Sequence, residues 1–457
     1  MAAAPGSDGR PRAGSDGYEL VVTGRAWLDG KLRPVEVGVD EDGWIRRIAR
    51  NLRDTGHRLD FGESVLLPAA TDVHVHFRDP DGPDPAESFA SGTEGAALGG
   101  IGAVGEMPNT RPPVDDRERW EEKAALARGR IAVDVVLYGS AQSPAAVRSL
   151  APVAGALKLY LAPTTGVEDF PIDRLPEVLE AVAAVGLPLS VHAEWPPAFS
   201  PSSVPPSSTE GWNASRPPAA ERAAVDRLLR APSSLRLHIA HATEADTVDR
   251  VAGGGISCEA TPHHLLLRAR SDGDGFAKTN PPLRSEADRR ALWDRFASGA
   301  VPLLASDHAP HHSAAKEGPF SKAPSGVPGV ETMVPLMLEL VRSGDLPLPV
   351  LLGAAMDRPA RWFGLPMGRL APGHWANLIA IDFRRGRKIE GKHLRSPAGW
   401  SPFEGRRAVF PHGHLRRGEI LVADGEFVGP RNGAVVRPEY VSTVSRNVPN
   451  RFVTKRV

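Results

Sequence analysis

The chain has 457 residues with 55 Lys and Arg against 55 Asp and Glu, so its formal charge is zero and no global basic field exists to hold nucleic acid or an anionic membrane. The single cysteine, Cys258, excludes an intrachain disulfide framework and any multi-cysteine zinc module, and fits a reducing, cytoplasmic setting. Hydrophobic residues at 41% and charged residues at 24% are globular values, and no apolar run approaches the ~20 residues needed to cross a bilayer.

Residues 1–17 are rich in Gly, Pro, Ser and Asp, lack an apolar signal core, and read as a disordered leader. From Tyr18 the chain shows short strand-like runs with turn residues between them (YELVVTG, VEVGVDEDGWIRRI, SVLLPA), the pattern of hairpins. Residues 18–67 are therefore expected to form one part of a small β domain. Over 68–366 the pattern changes to buried-looking strands alternating with helical segments, the βα signature of a parallel sheet. Strands are expected to end near His76, Pro108, Gly139, Leu161, Glu194, Ala242, His263 and Asp307, with helices such as Arg117–Ala127, Pro171–Val185, Pro218–Arg230 and Glu244–Ala252 between them. That succession predicts an α/β fold built on a closed (β/α)8 TIM-like barrel. Two long segments, Trp195–Pro218 and His311–Pro328, read as irregular loops on the catalytic face. Residues 367–457 return to short strands (ANLIAIDF, RRAVFPHGHLRRGEILVADGEFVG, GAVVRPEYV), expected to pair with the first segment and complete the β domain built from both ends of the chain. The basic stretch Arg446–Val457 reads as a solvated tail.

Chemistry-bearing residues recur at the strand ends. In DVHVHFRDP, His74 and His76 are two apart, so a strand would point both imidazoles into the barrel mouth. In LKLYLAPTTG, Lys158 interrupts an apolar strand, where a lysine must snorkel, pair, or be chemically changed. LSVHAE places His192 at the next strand end, LRLHIAHAT places His238 and His241 at the one after, and LLASDHAPHH places Asp307 at the eighth. Histidines packing independently would scatter through the fold. Convergence on one rim predicts a metal site, and a nitrogen and carboxylate set without thiolate suits zinc, manganese, cobalt or nickel. Two neighbouring cations need a bridging anion. Lys158 supplies one if its neutral amine captures carbon dioxide as a carbamate; without metal, the alternative is a buried ion pair with Asp307 or another carboxylate.

The motifs DVHVHFRDP, EMPNTRPP, ALKLYLAPTTG, LSVHAE, LHIAHAT, CEATPHHLLL, KTNPPLR, ASDHAPHH, SGVPGVET and WSPFEG, spread from about Val65 to Gly429, resemble those of the dihydroorotases of the amidohydrolase superfamily. The resemblance implies a zinc-dependent cyclic amidohydrolase that reversibly cyclises N-carbamoyl-L-aspartate to L-dihydroorotate in pyrimidine biosynthesis. It implies two Zn2+ ions per chain, one held by His74, His76 and Asp307 and the second by His192 and His241, with carboxylated Lys158 bridging them. It also implies a hydroxide held between the ions as nucleophile and Asp307 as general acid and base. Arg78, Asn109 and His311 match the family's carboxylate-binding positions, and Asn280 with the backbone near Pro324 and Gly326 is expected to recognise the ring's amide groups. For Arg78, an ion pair with Asp79 or Glu87 is the competing reading. A homodimer and a complex with aspartate transcarbamoylase are the assemblies the resemblance suggests, with no nucleic-acid or membrane partner. The family's glycine after RDP is replaced by Asp81, which puts the shape of that loop in doubt.

Alternative readings are another cyclic amidohydrolase, such as an allantoinase or hydantoinase, and an inactive dihydroorotase-like scaffold. Arg78, Asn109 and His311 weigh against the first, and the full ligand set weighs against the second. His238 and Glu259 are expected to support ligands from behind, and His263 and His264 to orient ligands or loops. Thr164–Gly166 reads either as a lid that donates hydroxyls or as a glycine turn.

Overall fold

The structure, a computed structural model, describes residues 17–437 apart from 29, 53–56, 81–84, 168 and 201–204. Nearly all of the expected leader, the Asp81 departure and the basic tail lie outside the described residues.

The first four strands are β1 (Leu20–Leu28), β2 (Lys31–Val39), β3 (Ile45–Ala49) and β4 (His57–Pro68). β1 and β2 form a hairpin, β3 adds antiparallel to β2, and β4 pairs with β1 in parallel. The parallel pairing departs from the simple hairpins expected for this segment. β4 leaves the sheet and continues almost directly as the first barrel strand: the Ala69 N–H donates to Asn377 O and the Ala70 N–H to Gly100 O, so the chain changes sheets across one residue.

The barrel strands are β5 (Ala70–Val75), β6 (Ile101–Glu106), β7 (Asp134–Ser140), β8 (Ala156–Tyr160), β9 (Leu189–His192), β10 (Leu237–Ile239), β11 (Ser257–Ala260) and β12 (Leu303–Leu304). They form one eight-stranded sheet in chain order, every neighbouring pair parallel. Beyond β12 the bridge between Val75 and His308, with the His76 N–H donating to His308 O at 2.7 Å, brings the last segment against the first. The fold is a (β/α)8 barrel with a separate sheet built from the two ends of the chain.

The barrel strands are continuous apolar runs because both faces are covered, which parallel strands require. Val73, Val104, Val136, Leu157, Val191, Ile239 and Leu304 are all buried. Outside them, helix Leu175–Val185 buries Leu175, Val178, Leu179 and Val182, a stripe at helical spacing, and stops at Gly186 in the left-handed region (φ 72°). Helix Arg117–Ala127 starts at the Asp116 cap, whose carboxylate accepts the Arg119 N–H at 2.8 Å.

The C-terminal strands are β13 (Leu378–Ile381), β14 (Arg387–Lys388), β15 (Arg407–Ala408), β16 (Gly413–Arg416), β17 (Glu419–Ala423) and β18 (Glu426–Phe427). β13 runs antiparallel to β4, so the second sheet has the order β18-β17-β16-β13-β4-β1-β2-β3 and its own core around Val22, Val37, Ile45, Leu66 and Leu378.

Local departures from the sequence expectations have physical causes. The seventh strand ends at Ala260, because Thr261 caps a short helix, Pro262–Leu266, and His263 and His264 ride on that helix. The segment after β9 contains a helix, Thr209–Ser215, capped by Ser208, although its Pro and Ser content reads as loop. Helix Ser313–Lys316 likewise interrupts the segment after β12. Val435, expected in a terminal hairpin, forms a parallel bridge with Val135 at the start of β7.

The end of β6 carries a buried ion pair that shapes the neighbouring strand end. Glu106 accepts the Phe77 N–H at 2.8 Å and the Arg78 N–H at 3.1 Å, and Lys123 Nζ donates to Glu106 Oε1 at 2.9 Å and to Met107 O at 2.8 Å. Both side chains are buried. Removing one partner of a buried pair leaves an uncompensated charge, so Lys123→Met is expected to cost about 3–5 kcal/mol of stability, read as a lowered urea midpoint.

Candidate active site

His74 lies in β5, and His76 follows that strand's end. Glu106 grips the next two N–H groups, and Arg78 turns into the left-handed region (φ 52°). Its side chain thus reaches the pocket through a kink, where the sequence pattern had suggested strand alternation. His241 (φ 38°) and Asp307 (φ 47°) are also left-handed. Among the described residues, three of the five non-glycine residues with positive φ are therefore site candidates. Such backbone is sparsely populated and persists where surrounding structure over-determines it. For Asp307 that structure includes Asp72, which accepts the Ser306 N–H at 3.0 Å and the His74 N–H at 3.2 Å, tying the segment after β12 to β5.

The imidazoles are aimed from behind. His74 Nδ1 lies 2.5 Å from Glu259 Oε1, and His76 Nδ1 lies 2.6 Å from Asn109 Oδ1. Each Nδ1–H donates to its oxygen, so both Nε2 atoms carry lone pairs. Those two atoms are 3.1 Å apart and stand 3.3 and 3.1 Å from Asp307 Oδ1. Lys158 Nζ, fully buried at the centre of β8, is 3.3 Å from His74 Nε2. On the other side of the mouth, His192 Nε2 donates to Glu194 Oε2 at 2.9 Å, which leaves its Nδ1 facing His241 Nε2 at 3.0 Å. The Nδ1 of His241 is buried and has no hydrogen-bond partner among the described residues.

Electrostatics match this geometry. Burial pushes His76 down to about 3 and lowers His192 and His241 as well, so these rings are neutral and free to act as ligands. Burial works against the charge of the Asp307 carboxyl, and positive charge gathered beside it at His74 and His76, the place these neutral rings leave to a cation, draws it well below the usual range. Glu259 and Glu194 follow the same logic: burial works against their charge, while His74 and His238 on one and Arg216 and His192 on the other more than offset it. Burial brings the Lys158 ammonium from 10.5 down to about 8, within reach of the neutral amine.

Three acceptors facing one another across about 3 Å, with their protons directed elsewhere, suit a cation. Among the described residues, His74, His76 and Asp307 offer ligand atoms within 4.8 Å of one another. His192 and His241 form a second pair beside them, the His74 and His241 rings being 5.3 Å apart. The donor set fits divalent metal.

These groups open into a pocket lined also by Arg78, Asn109, Tyr160, Thr164, Thr165, Asn280, Ala309, Ser325 and Gly326. The Thr164–Gly166 loop is tied across it: Asn109 Nδ2 donates to Thr165 O at 3.2 Å, Asn280 Nδ2 to Thr164 Oγ1 at 3.3 Å, and Thr165 Oγ1 to Ser325 O at 3.1 Å. Gly326 (φ 132°) cannot carry a side chain, because a Cβ would stand 2.5 Å from Ala309 O. Two expected substrate residues stand behind this lining. His311 Nε2 donates to Ser325 O at 3.0 Å, and Pro324 O accepts from Lys316 Nζ at 2.9 Å. The rivals for Arg78 are engaged elsewhere: Asp79 pairs with Arg130 at 2.7 Å and Glu87 with His308 at 3.2 Å.

The sequence reading missed several supporting residues. Glu194 stands two residues after His192, a spacing that could have suggested it. Its partner Arg216, which donates from Nη2 at 2.6 Å and from Nε at 3.2 Å, comes from a segment read as loop. Lys316, buried, donates to Pro324 O and Gly326 O and holds the rim; nothing in the local sequence pattern marks it.

No family model matches the chain. It is 37% identical over 431 residues to the dihydroorotase of Halobacterium salinarum, covering 89% of this chain and 100% of that protein. It is 35% identical over 424 residues to the dihydroorotase of Methanosarcina acetivorans, covering 87% and 90%. Among solved structures, the L-hydantoinase (dihydropyrimidinase) from Arthrobacter aurescens superimposes with a TM-score of 0.83 at 26% identity, covering 92% of this chain and all of that one.

A Glu259→Gln substitution removes the charge behind His74 and His238. Divalent-metal affinity is expected to fall about 10–100-fold, measured by chelator competition. In Lys316→Met the rim formed by Ser325 and Gly326 loses its ammonium anchor, so KM is expected to rise several-fold with metal content unchanged.

Proposed function

The chain belongs to the dihydroorotase family, and from that premise we propose that it interconverts N-carbamoyl-L-aspartate and L-dihydroorotate as a cytoplasmic enzyme of pyrimidine synthesis. The observation that carries the reading is a pocket that joins a metal-suited cluster of His74, His76 and Asp307 to the guanidinium of Arg78. A cyclic amide without a carboxylate has no need of that cation.

His74, His76 and Asp307 would hold one divalent cation and His192 and His241 a second, zinc being the first candidate. Lys158 would bridge them as its carbamate, formed when the neutral amine adds to carbon dioxide and releases a proton. When bound, such cations lower the pKa of water from 15.7 toward about 7 and polarise the ring carbonyl. The chain's own residues do the rest. Arg78 presents its guanidinium to the substrate carboxylate, in the planar geometry that suits two parallel hydrogen bonds. Asn109, held by His76 and Thr165, places its amide beside it, and His311 acts through Ser325. Asn280 and Gly326 border the ring. In the hydrolytic direction water adds to the ring carbonyl, the carbon–nitrogen bond breaks, and the nitrogen leaves with a proton. Asp307 accepts the proton lost by water and delivers it to that nitrogen. Cyclisation runs the same transfers backward and releases water.

In a side-by-side assay with carbamoyl aspartate, dihydroorotate, allantoin and hydantoin, turnover is expected for the first two. Preference for an uncharged ring would refute the assignment. Asp307→Asn should keep the fold and lose about 10²–10⁴-fold in kcat, the usual range for general acid–base catalysis. Arg78→Ala should mainly raise KM for the acidic substrate, and an unchanged KM would count against the clamp.

A further inference from the structure

One polar group in the pocket has no task in the mechanism above. Tyr160 closes β8 two residues after Lys158. Its side chain lines the same cavity as His74, His192 and Asp307 and is only 3% exposed. Its ring lies 6.3 Å from that of His192, centroid to centroid, and Lys158 Nζ sits 5.3 Å from its centre. The backbone is held in place by Gln142, whose Oε1 accepts the Tyr160 N–H at 3.2 Å and whose Nε2 donates to Tyr160 O at 3.5 Å. Yet the hydroxyl is buried and has no hydrogen-bond partner among the described residues.

A buried hydroxyl without a partner is unfavourable, and phenylalanine would fill the same space without that cost. A hydroxyl retained there points to a ligand atom that supplies the missing bond. A phenol carries its proton at neutral pH, its ordinary pKa being about 10, so the group is a donor. It therefore needs an acceptor. The neighbouring Asn109, Asn280, Thr164 and Thr165 are bonded to one another or to the pocket wall, and Arg78 Nη1 donates to Pro310 O at 3.0 Å. Against Tyr160 stand His192 and Lys158, which belong to the reacting end of the cavity. In the reaction proposed above, the substrate atom brought to that end would be the oxygen of the ring carbonyl, whose negative charge grows as the carbon becomes tetrahedral.

We propose that Tyr160 is a further catalytic residue, its hydroxyl donating a hydrogen bond to the carbonyl oxygen of the ring amide under attack. This rests on the dihydroorotase reading. A fixed donor aimed at developing charge acts on the transition state more than on the bound ground state.

The test is Tyr160→Phe, assayed with wild type in both directions on dihydroorotate and carbamoyl aspartate, with metal content and thermal melting recorded. The expected result is a fall in kcat of about 10²-fold, the range for losing one such donor. KM and metal content should be unchanged, and Tm equal to or above that of wild type. A wild-type kcat in the variant overturns the inference. So does a loss confined to KM, which would make the hydroxyl a ground-state contact. A lowered Tm with loss of metal overturns it as well, by showing a structural role. Wild-type protein inert toward both substrates overturns the functional reading and the inference together, a result distinct from failure of the variant alone.

Discussion

Two buried carboxylates set the geometry of the barrel mouth. Glu259 and Glu194 sit on β11 and just past β9, where burial opposes their charge. They remain anions because N–H donors converge on them: His74, His238 and the backbone of His241 on Glu259, and His192 and Arg216 on Glu194. The bonds from His74 and His192 also fix those imidazole tautomers and turn the other ring nitrogen toward the cavity. Folding and ligand presentation are the same set of contacts. The left-handed backbone at Arg78, His241 and Asp307 fits this picture, since it brings side chains to the mouth that an unbroken strand would not.

Much of this was legible in the sequence. The (β/α)8 barrel followed from strands alternating with helices, and the gathering of His74, His76, His192, His241 and Asp307 on one rim followed from their places at successive strand ends. Lys158 stood out because an apolar strand has no ordinary use for a lysine. Other parts were hidden for physical reasons. Arg78 was credited to strand alternation, but β5 stops at Val75 and the turn depends on a carboxylate from β6. Arg216 follows a helix whose flanking Pro and Ser residues imitate a loop. Tyr160 reads as core in any apolar strand, and only the missing partner of its hydroxyl separates it from a packing residue. Val435 is too short a segment to announce that it pairs with β7.

The pocket is closed by contacts distant in sequence. Asn109 follows β6, Thr164 and Thr165 follow β8, Asn280 follows the short helix after β11, and Ser325 follows β12. Their mutual hydrogen bonds make the substrate end of the cavity a joint product of several loops on one barrel face. Lys316 anchors the last of them from beneath. This division places the cation-suited imidazoles, fixed by strands, at the floor and the recognition groups, fixed by loops, at the rim, as barrel enzymes generally arrange them.

The carboxylate-aimed imidazoles are arranged as ligands for cations. The decisive experiment prepares metal-free protein and titrates it with a divalent metal while following bound metal per chain and dihydroorotate turnover together. Saturation is expected at about two cations per chain, with activity rising as the sites fill. Full turnover in metal-free protein, or failure to retain any cation on the folded chain, would contradict it.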